Sequence, residues 1–155
     1  MHPCDIGAPA NGASMPASGT IINGHVSNRH GEQNAINVNT GSIVWKVPLG
    51  TVDELKMRTG TPNLGGSIVS GGVVFIGATT DSRFRAFDAH TGKELWVTTL
   101  EASAHATPIT YLGKKTGKQF VVIAAGGGGA LSPKVSDTLV AFALPDKSAR
   151  KHASH

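Results

Sequence analysis

An eleven-residue motif occurs twice in this chain at a fixed spacing. The first copy runs from Ala35 to Trp45 and reads AINVNTGSIVW; the second runs from Ala86 to Trp96 and reads AFDAHTGKELW. Corresponding residues lie 51 positions apart. A repeat of this length, with two short apolar stretches around a Thr-Gly turn, is typical of one hairpin in each blade of a β-propeller. Glycine supplies the positive φ that such a turn needs, and tryptophan is large enough to pack between neighbouring sheets.

The strand pattern around the two copies divides into units of blade size. Four antiparallel strands within about 40 residues make one propeller blade. The sequence predicts half a blade first, then one complete blade, and then a unit of three strands without a fourth. The predicted strands are 34–38 and 42–47, then 66–70, 73–78, 83–88 and 94–100, then 105–111, 119–125 and 137–144. Residues 52–57 are predicted to form at most one helical turn.

These units predict an all-β chain with three regions. Residues 1–33 are rich in Gly, Ala, Ser, Asn and Pro, and only residues 20–22 resemble a strand, so we expect this region to be irregular or disordered. Residues 34–146 form the partial propeller, and residues 147–155 form a basic disordered tail. A blade buries both faces only between two neighbours. We therefore expect about two blades from the C-terminal end of a larger propeller.

Composition excludes several function classes. The net charge is +4, of which Lys147, Arg150 and Lys151 supply three charges in the last nine residues. No basic patch with interleaved aromatic residues is visible, so nucleic-acid binding is not expected. Cys4 is the only cysteine, which excludes an intrachain disulfide or a cysteine-based metal site. The apolar runs are too short to span a bilayer and residues 1–5 lack a signal-peptide pattern, so an export signal would lie outside this chain.

Several motifs, in the expected order, resemble one known family. They are the repeated Ala-x-Asp-x-x-Thr-Gly-x-x-x-Trp, the stretch GTPNLGG at 60–66, ATPITY at 106–111, GKQFVVIAAGG at 117–127 and VAFALPD at 140–146. Together they resemble the C-terminal end of the quinoprotein dehydrogenases that bind pyrroloquinoline quinone (PQQ), in the membrane-bound glucose/quinate dehydrogenase branch. The resemblance extends over about residues 34–146. Asn37 departs from it, because the motif usually has Asp there.

The resemblance implies an eight-bladed propeller with PQQ and a calcium ion on its axis. It implies oxidation of glucose, quinate or a related polyol, with an Asp as base and ubiquinone as the electron acceptor, at the periplasmic face of the inner membrane. The base and the metal ligands of the family lie in earlier blades, so we assign no catalytic or metal residue here. Asp53, Asp81, Asp88 and Asp137 do not stand in those contexts. The implied partners are the remaining blades, the substrate and ubiquinone, and the chain alone is expected to be inactive.

Three residues are carried over as cofactor-binding. Leu64 matches a place where related alcohol dehydrogenases have a Trp that lines the cofactor. Gly127 and Gly128 match a Gly-x pair whose second residue reaches the cofactor edge and is commonly His in the glucose branch. Glycine there allows close backbone approach to a flat anion, with exposed N–H groups as donors; the alternative is that these glycines serve only a turn. His105 could face the axis, although an ordinary solvated histidine is favoured.

Two alternative interpretations concern the glycine run and the function of the whole chain. The glycine run at 126–129 resembles a dinucleotide-binding loop, but that motif needs a following helix, and Pro133 with a short polar run argues against one. A non-catalytic propeller scaffold remains the alternative to an enzyme. The segments 60–66 and 106–111 favour the enzyme, because a scaffold needs only the Trp motif.

Overall fold

A computed structural model describes residues 20–27, 30–55, 59–129 and 132–143. Within them the chain forms ten β-strands and one short 3₁₀ turn, Asp53–Leu55. No helix in this described part has the length and hydropathy of a membrane span. The strands are β1 Thr20–Ser27, β2 His30–Asn37, β3 Ile43–Pro48, β4 Ser67–Ser70, β5 Val73–Ile76, β6 Arg83–Asp88, β7 Glu94–Thr99, β8 Ile109–Leu112, β9 Gln119–Gly127 and β10 Val135–Ala143.

The strands form three antiparallel sheets, each made of strands consecutive in sequence. Sheet 1 has the order β1-β2-β3, sheet 2 has β4-β5-β6-β7, and sheet 3 has β8-β9-β10. Sheet 2 is the complete four-stranded unit that the sequence predicts, and sheet 3 has the three predicted strands. The all-β prediction is confirmed, and each unit is a meander of the kind that forms propeller blades.

The prediction that residues 1–33 are irregular is wrong for residues 20–27 and 30–33, which lie in strands. Thr20–Ser27 pairs with His30–Asn37 over eight residue pairs, so the first unit has three strands and not two. The strand pattern is hidden because these segments consist largely of polar residues and glycine, which lack the apolar alternation by which strands are recognised. Residues 1–19 and the predicted basic tail, 147–155, lie outside the described residues.

Sheet 2 is buried on both faces. Val74, Ile76 and Phe87 face a cluster that includes Trp45 of sheet 1. Phe75 and Phe84 face a second cluster that includes residues 121, 123, 140 and 142 of sheet 3. Because adjacent side chains of a strand point to opposite faces, all four residues of β5 are buried. The three sheets are therefore held together by apolar packing, with sheet 2 in the middle.

The two repeated tryptophans occupy equivalent positions. Trp45 lies opposite Ala35 and Trp96 lies opposite Ala86, each beside a bulge in the outermost strand pair of its sheet. Trp45 is 8% exposed, and its indole N–H donates to the Ala89 carbonyl of sheet 2 at 3.0 Å. Trp96 is only half-buried and packs edge-on against Phe142 of sheet 3 at 5.2 Å between ring centroids. Each tryptophan thus docks its sheet onto the next, as the repeat predicts.

The Thr-Gly turn of the second repeat is fixed by its own aspartate. The Asp88 carboxylate accepts hydrogen bonds from the backbone N–H groups of His90 and Thr91 and from the Thr91 hydroxyl. Burial alone raises the pKa of Asp88, but these hydrogen bonds outweigh it and hold the pKa below its usual range. Gly92 has a φ of +70°, and a Cβ there would lie 2.7 Å from the Trp45 ring. The turn therefore requires glycine for its backbone and for its contact with Trp45.

Candidate cofactor rim

Four connections meet at one edge of the sheets, and they carry all three predicted site residues. The Leu64 N–H donates to the Ala78 carbonyl at 2.8 Å, and the Ala78 N–H donates to the Ala104 carbonyl at 2.6 Å. The Gly127 N–H donates to the Ser103 carbonyl at 2.8 Å. These bonds connect the segment before β4, the β5–β6 loop, the β7–β8 connection and the end of β9 into one continuous edge, here called the rim.

Leu64 combines a fixed backbone with an exposed side chain. Its side chain is 61% exposed. Its carbonyl oxygen lies 3.1 Å from Nδ1 of His105. A carbonyl can only accept, so this bond requires the proton on Nδ1. A hydrogen-bonded backbone and an exposed side chain are both expected of a residue that lines a bound molecule.

Leu64 and His105 are equivalent residues of successive sheets. Each lies four residues before an isoleucine of the first strand in its sheet, Ile68 in β4 and Ile109 in β8. Nε2 of His105 is buried and has no hydrogen-bond partner among the described residues. This histidine thus belongs to the rim and is not an ordinary solvated side chain. The sequence does contain a signal for this position, because His105 precedes Ile109 by the same four residues by which Leu64 precedes Ile68.

Gly127 and Gly128 form a tight turn whose N–H groups are already used. Their φ angles are +60° and +82°. The Gly127 N–H bonds to Ser103 and the Gly128 N–H donates to the Lys134 carbonyl at 3.1 Å. The expectation that these N–H groups are exposed donors is therefore wrong. A Cβ on Gly127 would lie 1.9 Å from the Lys134 carbonyl oxygen, so packing alone requires this glycine.

Gly128 differs from Gly127 because the space beside it is open. The nearest atom to a Cβ placed there is a methyl carbon of Val135 at 3.9 Å. An approaching molecule would meet the bare backbone of Gly128 and not its N–H. The open space beside Gly128 leaves room for another molecule, whereas packing fills the space beside Gly127.

Asp81 lies in the β5–β6 loop, one of the connections of the rim, and forms a buried ion pair with Arg85 that the sequence did not predict. The Asp81 carboxylate, 4% exposed, contacts the Arg85 guanidinium, accepts from the Thr79 hydroxyl at 2.6 Å and accepts from the Thr51 N–H at 2.8 Å. Burial raises the pKa of Asp81, but the hydrogen bonds and the charge of Arg85 outweigh it and lower the pKa. Glu94 lies 3.6 Å from Arg85 on its other side. Both oxygens of Asp81 are thus engaged within the fold, where they connect the β5–β6 loop to Arg85 and to the Thr51 backbone.

The described residues contain no group of three His, Cys, Asp or Glu side chains that could hold a metal ion. The rim therefore does not fit a calcium site by itself. Its open positions are the exposed apolar side chain of Leu64 and the backbone of Gly128.

Comparison with known proteins agrees with the sequence motifs. Residues 15–121 match the family described as "PQQ: Glucose/ethanol/alcohol dehydrogenase, beta-propeller domain". The chain belongs to this family. The predicted quinoprotein propeller is thereby confirmed, and the match begins well before residue 34, in agreement with the early strands β1 and β2.

Individual relatives give the same assignment. The chain is 46% identical over 127 residues to a probable quinate dehydrogenase (quinone) of Xanthomonas campestris pv. juglandis, which covers 76% of this chain and 16% of the relative. It is 46% identical over 120 residues to quinoprotein glucose dehydrogenase A of Acinetobacter calcoaceticus, covering 72% of this chain and 15% of the relative. The crystal structure of quinohemoprotein alcohol dehydrogenase from Comamonas testosteroni is similar with a TM-score of 0.61 at 26% identity, covering 78% and 18%. The chain thus spans about a sixth of the length of the relatives it matches.

Proposed function

We propose that this chain forms part of a PQQ-dependent dehydrogenase that oxidises glucose, quinate or a related polyol and passes the electrons to ubiquinone. The observation that carries the proposal is the 46% identity to a probable quinate dehydrogenase (quinone) and to a quinoprotein glucose dehydrogenase over about three quarters of this chain. PQQ supplies the two-electron redox chemistry when it is bound. Leu64, Gly127 and Gly128 are proposed to line one side of it, with Leu64 excluding water and Gly128 allowing close approach. Calcium and the catalytic base are proposed to be held by other blades.

The two ends of the sheet stack support the need for further blades. At one end, a Cβ placed on Gly41 would have no atom of the described residues within 4 Å, whereas a Cβ on the equivalent Gly92 would lie 2.7 Å from the Trp45 ring of the preceding sheet. At the other end, Ile109, Tyr111 and Leu139 are between 49% and 70% exposed on the face of sheet 3 that corresponds to the Ile68 face of sheet 2. Each end thus presents a docking surface that is occupied in the middle of the stack. We propose that further Trp-motif blades cover both.

The location follows from the proposed acceptor. Ubiquinone dissolves in the bilayer, so the complete protein is proposed to work at the periplasmic face of the inner membrane, where sugars and polyols are accessible. The names of the two relatives, one of which specifies a quinone acceptor, support the acceptor class. The alternative of a non-catalytic scaffold is not favoured, because the relatives that match most of this chain are dehydrogenases, and the motifs at 60–66 and 106–111 lie outside the tryptophan motif.

A segment exchange tests the proposal. The matched segment of the Xanthomonas quinate dehydrogenase relative is replaced by the corresponding residues of this chain, and dye-coupled oxidation of quinate, glucose and other polyols is measured with PQQ and calcium. We expect turnover on the order of 10 per second from the chimera and none from the 155-residue chain alone. A folded chimera that binds no PQQ would refute the assignment, and so would oxidation by the isolated chain, which would place a base among the residues described here.

A further inference from the structure

The two spaces between neighbouring sheets are packed by equivalent residues. Residues of sheets 1 and 2 that correspond through the repeat lie 51 positions apart, and residues on the receiving faces of sheets 2 and 3 lie 47 positions apart. Examples of equivalent buried pairs are Ala35 and Ala86, Leu49 and Leu100, and Ile76 and Ile123. The space between sheets 1 and 2 can therefore be compared with the space between sheets 2 and 3 position by position.

The two spaces differ where the second has Phe84 and Ala104. Both of these residues are fully buried and belong to one apolar cluster. Gln33 lies 51 positions before Phe84, and Asn63 lies 41 positions before Ala104, the same offset that relates the two rim segments 60–64 and 101–105. Gln33 and Asn63 thus occupy neighbouring places in the first space, where the second space is apolar.

The path of the chain agrees with this placement. Gly31 and Gln33 point to the same face of β2, because side chains alternate along a strand. A Cβ placed on Gly31 would lie 2.9 Å from Nδ2 of Asn63. The Thr61 N–H donates to the Leu49 carbonyl at 2.9 Å, so the segment that carries Asn63 crosses sheet 1 at this point. The Asn63 amide is therefore directed toward the face of sheet 1 that Gln33 occupies.

The polar atoms of these side chains are buried without hydrogen-bond partners. Gln33 is 0% exposed, and neither its Oε1 nor its Nε2 has a partner among the described residues. The same holds for Nδ2 of Asn63 and for Oγ1 of Thr61, which is 3% exposed. These are four of the six such side-chain atoms in the described part of the chain. A buried amide without a partner is costly, whereas an internal water satisfies such groups with about three hydrogen bonds.

We propose that Gln33, Thr61 and Asn63 form a binding site for internal water between sheets 1 and 2. The three side chains are neutral and offer amide donors together with carbonyl and hydroxyl acceptors, which suits water because it donates and accepts. A metal ion does not suit the site, since two of the groups directed into it are amide nitrogens. In the equivalent space of sheets 2 and 3, Phe84 and Ala104 fill the volume with apolar atoms and exclude water.

The site has a consequence for the rim, because Asn63 immediately precedes Leu64. The Leu64 N–H is bonded to the Ala78 carbonyl of sheet 2 at 2.8 Å. Through the water, the Asn63 side chain is connected to Gln33 of sheet 1. The segment 60–64 is thereby held from both sides, and Gln33 and Asn63 act as positioning residues for Leu64.

The water is tested by Overhauser measurements between water and side-chain amide protons in the isotope-labelled chain. The amides of Gln33 and Asn63 are expected to show the sign of a long-lived water, whereas the exposed amide of Gln119 shows only that of exchanging solvent. A crystal structure of the segment-exchanged dehydrogenase answers the same question if the chain alone does not fold. A dry site, a bound ion, or a direct bond between the two amides would each overturn the proposal.

Substitutions test whether the two amides share the water. Gln33→Leu and Asn63→Ala each remove one partner and leave the other amide stranded, so each should raise the equilibrium constant for unfolding about fivefold. The double variant should raise it by less than the product of the two, because the water is already lost. The matched control is Gln33→Phe/Asn63→Ala, which copies the second space and should fold with no long-lived water. Multiplicative effects of the single variants, or a lowered unfolding constant in both, would refute the shared site.

Hydrogen exchange distinguishes the positioning role from a general loss of stability. In Gln33→Leu, exchange of the Leu64 N–H should accelerate more than exchange of the Gly127 N–H, which is bonded to the Ser103 carbonyl between sheets 2 and 3. Equal acceleration at both amides would rule out the positioning role. None of these measurements involves PQQ or turnover, so their outcome is independent of the proposed dehydrogenase function.

Discussion

Replacing Trp45 tests the packing that holds the first two sheets together. Its indole is 8% exposed, contacts the backbone of Gly92 across the sheet interface and donates to the Ala89 carbonyl at 3.0 Å. Deleting a buried aromatic side chain of this size costs about 3–5 kcal/mol. We expect Trp45→Ala to lower the free energy of unfolding by about 4 kcal/mol. Trp45→Phe keeps most of the apolar contact and loses the hydrogen bond, so its expected cost is about 1–2 kcal/mol.

The measurement is urea unfolding followed by far-UV circular dichroism. In a Trp96→Phe background the fluorescence of Trp45 alone reports on its burial, and a blue-shifted emission that moves red on unfolding is expected. Trp96→Ala is the matched comparison: Trp96 is only half-buried in these three sheets, so its loss is expected to cost less than that of Trp45. The reasoning fails if Trp45→Ala costs less than about 1 kcal/mol, or if it costs less than Trp96→Ala.

Three further predictions concern the turns and the ion pair. The lowered pKa of Asp81 means that its contribution to stability is present above the unfolded pKa of about 4 and is lost as pH falls below it. Asp81→Asn removes the nearest carboxylate of the buried Arg85 and should cost about 3 kcal/mol at neutral pH, and it should make the free energy of unfolding less dependent on pH in the acid range. Urea unfolding from acid to neutral pH that shows the same pH dependence in the variant as in the wild type would contradict this. Gly92→Ala should destabilise the chain by about 1–3 kcal/mol more than Gly41→Ala, because both glycines have φ near +70° but only Gly92 contacts Trp45; equal unfolding midpoints would show that the contact is unimportant. Gly128→His in the segment-exchanged dehydrogenase should change the rate of PQQ release, at a backbone cost of about 1–2 kcal/mol for the positive φ; identical release rates would make Gly128 a turn glycine only.

The fold of sheets 2 and 3 could be predicted from the sequence because their strands carry strong local signals. The run from Val73 to Ile76 is apolar throughout, as a strand covered on both faces must be. The Thr-Gly turns and the 51-residue spacing place the tryptophans at equivalent positions before any contact is known. Most of β1 and the first half of β2 escaped prediction because their residues are mainly polar or glycine, whereas the second half of β2 was predicted as the strand 34–38.

The candidate site depends partly on sequence motifs and partly on tertiary structure. Sequence motifs alone selected Leu64, Gly127 and Gly128, and the assembled sheets bring the three to one edge through hydrogen bonds of Ala78, Ser103 and Ala104. Only the tertiary structure shows that the Gly127 and Gly128 N–H groups are occupied, because their acceptors are carbonyl groups that the fold brings beside the turn.

The contacts of the ion pair and of His105 are likewise visible only in the tertiary structure. Asp81 is one of several aspartates in the sequence, and what distinguishes it is burial against Arg85 together with the N–H of Thr51, thirty positions away. His105 joins the rim because a connection between sheets lays it against the Leu64 carbonyl. Local pattern determined the strands, the turns and the family, since these depend on residues close in sequence. The partners of each polar group were decided by the stacking of the sheets, which a linear sequence does not display.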